Sequence, residues 1–235
     1  EGIVLVEKSA DGKKAAMVEI NSETDFVARD KNFLGFTDAV IKVVLDQSIS
    51  DVDALNAATL PTGKTVEQAR QDLVAKIGEN ISVRRVELVE SNHNLGVYVH
   101  GDRIGVVLEN EGGDADLAKD LAMHVAASNP LTVSQDDIPA DVVAREKEIF
   151  IAQAQETGKP MEIIEKMISG RIRKFLDEQS LVGQAFVKDP NQKVSALLQQ
   201  NGATVKQFTR FEVGEGIEKE VIDFRTEVMQ QAQGS

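Results

Sequence analysis

The sequence predicts an α+β protein: two similar hairpin-plus-helix subdomains, an antiparallel two-helix hairpin inserted in the second, and a C-terminal helical module. Three observations carry that reading. A β-hairpin pattern followed by a helical pattern occurs twice, over residues 2–46 and 95–128. A wholly helical, charge-interleaved stretch fills residues 139–178. Strand periodicity then returns at residues 204–213, which completes the second subdomain after the insertion.

Taken in order, residues 2–8 and 15–21 alternate apolar and polar side chains as half-buried strands do, and "SADGKK" between them supplies an Asp-Gly turn. In "DKNFLGFTDAVIKVVLD", residues 30–46, Phe33, Phe36, Val40, Val43 and Val44 recur at helical spacing. Residues 51–60 read as a short helix closed by Pro61. Residues 65–77 read as another, stopped by Gly78, the residue type best suited to a left-handed cap. "ISVRRVELV", 81–89, returns to strand. "LGVYVHGDRIGVVLEN", 95–110, is a second hairpin turning at "HGDR", and "DADLAKDLAMHVAAS", 114–128, is a helix with Leu117, Leu121 and Val125 on one face. The two halves share a detail: each second strand leaves through an acid and an asparagine, Glu19 and Asn21 in one, Glu109 and Asn110 in the other.

Residues 139–178 differ from the rest. Two helical patterns meet at Gly158, with Pro160 in the first turn of the second. Ile164, Ile168, Ile172 and Phe175 step along one face while acids and bases interleave on the others, the pattern of a coiled-coil hairpin with a solvated outer surface. A loop containing "GQAFVKDPNQK", a short helix at 192–200, the strand at 204–213 and a final helix from Gly216 follow. The expected divisions are 1–92 for the first subdomain, 93–138 with 179–215 for the second, 139–178 for the inserted hairpin and 216–235 for the C-terminal module.

The totals narrow the function. At 235 residues, one or two compact units are expected. No apolar run approaches the roughly 18 residues of a membrane span, and no secretory leader is visible. There is no Cys, which removes disulfides, thiolate metal sites and Cys nucleophiles and fits a reducing cytoplasm. Because strand patterning starts at once after Glu1, a further N-terminal part of the natural chain is expected. Charges of 26 basic against 39 acidic residues give −13, a field that repels phosphate backbones and disfavours direct nucleic-acid binding. One Tyr and no Trp leave few platforms for stacking bases.

Two stretches approach known chemistry and stop short. "TLPTGKT", 59–65, ends like a phosphate-cradling loop, but its first glycine position is Ala58 and no strand precedes it. A turn capped by Thr65 explains it better. "RFEVGEGIEK" places Gly214 and Gly216 between strand and helix, but the third glycine position is Lys219, and Glu212, Glu215 and Glu218 would repel a pyrophosphate. His93, His100 and His124 lack the spacing of a zinc hydrolase, and there is no nucleophile elbow. No catalytic residue, cofactor or metal ligand is assigned, and a binding protein is favoured over an enzyme.

One residue is out of place. "NSETDFVARDKNF", 21–33, puts Phe26, one of nine Phe, in a turn between strand and helix, where small polar residues are the rule. Either Ser22 or Thr24 caps a helical turn and Phe26 packs inward as a staple, or the ring is there to meet something else.

The segments "EINSETDFVARDKNF", "LVAKIGENISVRRVE", "HGDRIGVVL", "LAMHVAAS", "SLVGQAFVKDP" and "RFEVGEGIEK", in this order, closely resemble the bacterial elongation factor Ts family, and the resemblance runs from Glu1 to about Met229. The small N-terminal helical domain that precedes the core in that family is not among these residues, in keeping with the further N-terminal part expected of the natural chain. The resemblance implies guanine nucleotide exchange on elongation factor Tu, a GTPase, by binding and not by covalent chemistry. It implies that Thr24, Asp25, Phe26 and Val27 lie on the nucleotide-binding domain of that partner, with the Phe26 ring wedged between helices near the bound magnesium. Ile77, Gly78 and His100 match further contact positions. Residues 139–178 match a hairpin able to mediate self-association. The competing reading is an interaction or assembly module built on that hairpin, without exchange activity.

Overall fold

The computed structural model describes residues 1–217. Its first half is a three-stranded antiparallel sheet in the order β1-β2-β3, formed by β1 (Gly2–Lys8), β2 (Lys14–Ser22) and β3 (Ile81–Glu90). Between β2 and β3 the chain builds α1 (Asp25–Ala28), α2 (Lys31–Gln47), α3 (Val52–Ala57) and α4 (Val66–Ile77). The second half repeats the plan. Strands β4 (Asn94–His100) and β5 (Ile104–Glu111) form a hairpin, α5 (Ala115–Ser128) follows, and the third strand arrives only as β8 (Thr204–Glu212), giving the order β4-β5-β8. The mixed α+β architecture is the one the sequence predicts.

The repeat extends to the backbone. The central strands β2 and β5 each carry a register shift, between Glu19 and Ile20 in one and between Glu109 and Asn110 in the other. A bulge re-aims the strand exit, and these two fall at the acid-asparagine exits that the sequence repeats.

Alternation along β2 and β5 explains the layers. Ala16, Val18 and Ile20 face a core shared with Phe33, Val40 and Val44 of α2. Val106 and Leu108 face a core shared with Leu121 and Val125 of α5. The opposite faces, with Val4, Ala15 and Met17 from one sheet and Leu95, Val107 and Phe211 from the other, form a third cluster between the sheets. Both central strands are therefore buried on two faces. Gly105 sits in that middle layer, where a Cβ would stand 2.5 Å from Val4 Cγ1 and 2.9 Å from Met17 Sδ. Gly96 lets α5 approach β4 so closely that a Cβ would lie 2.1 Å from the Ala118 carbonyl oxygen.

The long insertion is the helical pair α6 (Ala140–Gln155) and α7 (Met161–Gln179), turning at Gly158 with φ of 65°. Ala154, Ile164 and Ile168 form a small core of their own, with Ile151 and Ile172 against it. Its base is tied down by the Leu131 N–H to the Gln179 carbonyl at 2.8 Å and the Leu181 N–H to the Thr132 carbonyl at 2.8 Å.

Several local expectations change. The turn at 21–33 contains a complete helical turn, α1. The helix expected at 51–60 ends at Ala57, and Thr59 pairs instead with Thr65. The stretch read as a loop holds a small hairpin, β6 (Ala185–Phe186) and β7 (Asp189–Lys193), whose polar strand lacks the alternation that marks a half-buried one. The next helix, α8 (Val194–Gln200), starts two residues later than expected. The final helix predicted from Gly216 lies, beyond Ile217, outside the described residues.

Candidate partner-binding site

The turn carrying Phe26 is built by capping at both ends. Thr24 adopts an extended backbone and its hydroxyl accepts from the Val27 N–H at 3.4 Å, the N-cap arrangement. Two residues past α1, Asp30 accepts from the Asn32 and Phe33 N–H groups and starts α2. In the single turn between these caps, Val27 and Ala28 point inward and join the core under α2. That leaves Asp25, Phe26 and Arg29 to face out. Asp25 pairs with Arg29 at 3.3 Å, both in solvent.

Phe26 is 81% exposed, the most open of the large apolar side chains among the described residues. The inward staple is thereby excluded: Thr24 does cap the turn, but the ring does not pack beneath it. Leaving such a ring in water forgoes about 1.5–3 kcal/mol of burial, while the residue beside it, Val27, is buried.

The stretches Thr24–Val27 and Ile77–Gly78, 50 residues apart in the sequence, are brought together by two carboxylates that the sequence did not single out. Glu79 accepts from the Thr24 hydroxyl at 2.8 Å and from the Thr24 N–H at 3.1 Å. In return, Glu23 accepts from the Asn80 N–H at 3.2 Å. Gly78, with φ of 85°, ends α4 and directs the chain into this contact. Ile77 is half-buried and Gly78 exposed. His100 is on the other sheet, exposed at the tip of the β4–β5 hairpin, with Nδ1 3.4 Å from the Tyr98 hydroxyl. It borders a groove of about 470 Å³ lined also by Ile104, Met123, Val187 and Arg210.

Glu19 joins the two halves. It is fully buried, and it accepts from Arg84 Nη1 at 2.9 and 3.0 Å, Arg85 Nε at 2.5 Å, Asn21 Nδ2 at 3.0 Å and the Gly214 N–H at 2.8 Å. Burial pushes its carboxyl up, but the Gly214 N–H, Asn21 and Arg85 outweigh this and hold it below the usual glutamate range. Arg85 also stacks over Phe211, 4.2 Å from the ring centre. The glycine turn of "RFEVGEGIEK" is thus a structural clasp, with a backbone N–H given to a protein carboxylate.

The other near-motif resolves the same way. In "TLPTGKT" the Leu60 N–H bonds to Lys64, the Gly63 N–H to Leu60, and Lys64 Nζ reaches Asp72 at 2.5 Å. Thr65 and Gln68 form a capping box. The Leu60, Gly63 and Thr65 N–H groups are therefore engaged within the turn and its cap. Among the described residues, no group of three or more His, Cys, Asp or Glu side chains is placed to hold a metal ion, and no helix is long and apolar enough to cross a membrane.

These observations define an α+β protein that presents an aromatic side chain on a doubly clamped turn. The family model described as Elongation factor TS matches residues 23–215. Over 231 residues, 98% of this chain, the sequence is 55% identical to Elongation factor Ts of Legionella pneumophila subsp. pneumophila, covering 79% of that protein. It is 58% identical over 234 residues to Elongation factor Ts of Francisella tularensis subsp. novicida, covering all of this chain and 80% of the relative. With Elongation factor Ts of Alkalilimnicola ehrlichii the identity is 54% over 236 residues, again 80% of the relative. The chain belongs to the elongation factor Ts family, and its role lies in the elongation stage of protein biosynthesis.

Proposed function

We propose that this chain promotes guanine nucleotide exchange on elongation factor Tu, acting by binding and not as a catalyst of bond chemistry. The observation that carries the reading is Phe26: a ring 81% exposed on a turn whose neighbours are buried and capped. An aromatic held in water on a fixed support is arranged for a partner, because its area is buried only when a partner arrives.

The mechanism is coupling between two binding events. Exchange factor and nucleotide each bind the GTPase and each weakens the other, reciprocally by linkage. Thr24–Val27, with Ile77 and Gly78 beside them, meet the nucleotide-binding domain. The Phe26 ring enters between helices next to the phosphates and the partner's magnesium ion. Displacing that ion removes charge neutralisation from the phosphates, and GDP leaves. His100, on the second sheet, makes a separate contact. Residues 1–92 and 93–138 with 179–215 then act as the two core subdomains, 139–178 as an appendage and 216–235 as a further contact module. The acidic balance of −13 fits a protein partner better than RNA.

The test is release of fluorescent GDP from purified elongation factor Tu, with and without this chain, together with Phe26→Ala. Truncating a buried interface aromatic costs at least about 2 kcal/mol at a hot spot. Exchange at subsaturating factor is therefore expected to fall roughly 30-fold or more, with melting unchanged within a few degrees. A chain that leaves GDP release unaltered sinks the reading. A Phe26→Ala variant that exchanges at the parental rate sinks the role of the ring.

A further inference from the structure

We propose that Glu79 is a positioning residue for Phe26, holding the ring in the geometry its partner needs; this rests on the exchange reading above. Glu79 does not touch the ring and works through Thr24.

A four-residue helix does not hold itself. The first turn fixes several dihedrals for few hydrogen bonds, so an isolated turn opens readily. Its inward side is tied by Val27 and Ala28. Its N-terminal end depends on the Thr24 hydroxyl, which has one hydrogen and two lone pairs. With that hydrogen donated to Glu79 Oε1 at 2.8 Å, the oxygen turns a lone pair to the Val27 N–H. The second carboxylate oxygen takes the Thr24 N–H at 3.1 Å. One side chain therefore fixes both the backbone and the hydroxyl of the cap. Its own anchor is firm, because it leaves the left-handed stop of the 12-residue helix α4. The reverse bond from Asn80 to Glu23 keeps the two turns in register.

The consequence for binding is entropic. A ring on a fixed turn loses little freedom on entering a partner, whereas a ring on an opening turn must first be ordered. Loss of Glu79 is expected to weaken exchange while leaving the fold standing.

The experiment compares Glu79→Ala, Thr24→Val, Thr24→Ser, Phe26→Ala and a Glu79→Ala/Phe26→Ala double variant in the GDP-release assay, with thermal melting on each. Glu79→Ala and Thr24→Val are expected to slow subsaturating exchange roughly tenfold, as loss of charge-assisted hydrogen bonds implies. At saturating factor the loss should largely disappear. Thr24→Ser, which keeps the hydroxyl but removes a methyl from the contact surface, should lose clearly less than Thr24→Val. The double variant Glu79→Ala with Phe26→Ala should be no slower than Phe26→Ala alone. Should Glu79→Ala fold poorly, Glu79→Gln keeps the volume and one acceptor and gives the same comparison. Parental exchange by the Glu79 variants while Phe26→Ala is slow overturns this inference alone. So does a double variant whose losses multiply, or a Thr24→Ser as slow as Thr24→Val. Parental exchange by Phe26→Ala overturns the role of the ring, and this inference with it.

Discussion

Removing the Glu19 carboxylate should destabilise the whole molecule, because three parts of the chain converge on it. Glu19→Ala leaves the Gly214 N–H without its acceptor, removes the carboxylate that Arg84 pairs with, and leaves Arg85 only the longer ion pair to Glu215 at 3.6 Å. Breaking a buried ion pair on one side costs about 3–5 kcal/mol. The arginine side chains remain 23% and 27% exposed, so water softens their loss and the lower end, about 3 kcal/mol, applies. For a chain of this size each kcal/mol moves Tm by about 2–4 °C, so a drop of roughly 6–12 °C is expected by calorimetry at pH 7.5.

The pH dependence gives an independent check. The folded carboxyl titrates below its ordinary value, so its contribution is fully present above the unfolded pKa and is lost as pH falls through the folded one. The difference in Tm between parent and variant should stay constant from neutral pH down to about 5.5 and close at lower pH. A variant melting within about 2 °C of the parent at neutral pH would refute the reasoning. So would a difference that widens on acidification, since that would mean a carboxyl protonated in the folded state.

His124 is buried, its Nδ1 accepts the Val187 N–H at 3.1 Å and its Nε2 lies 2.9 Å from Gln184. Burial lowers its pKa against the raising effect of Gln184, so stability should fall as pH drops below about 6.5 toward the folded pKa. Melting curves of the parent and His124→Asn from pH 7.5 to 5.5 should show that slope in the parent only. Gly96→Ala drives a methyl into the Ala118 backbone, which cannot swing aside as a side chain can, and should cost about 3 kcal/mol or more in chemical denaturation. Replacing residues 141–177 by a short Gly/Ser linker should leave most exchange activity. Because Ile149, Met161 and Ile163 are exposed on that hairpin, the same change should reduce any self-association seen by sedimentation velocity.

What could be read in advance follows from how local each signal is. The strands and long helices were legible because alternation, helical spacing, Asp30, Thr65 and Gly78 act within a few residues of themselves. The repeat was legible too, down to the acid-asparagine exits that turned out to be bulges. The hairpin at 185–193 was not, since "DPNQK" is polar throughout and pairs only because its neighbours hold it there. Glu19 left a trace, a charge at an inward position in "AAMVEINS", but apart from Asn21 its partners lie 65 to 195 residues away.

The Phe26 site divides along the same line. That the ring was misplaced for a turn could be seen from composition, and the resemblance supplied a role. Whether it packed inward or stood out was a three-dimensional question, decided by which residues of a single turn reach the core. Val27 and Ala28 do, and geometry then sends Phe26 the other way. Glu79 was invisible for a stronger reason. A glutamate after a helix stop is an ordinary surface residue, and nothing within its own neighbourhood marks it. Its significance lies in meeting Thr24 across 55 positions. In this protein the residue proposed to touch the partner was legible in sequence, whereas the residue proposed to aim it became legible only once the chain was folded.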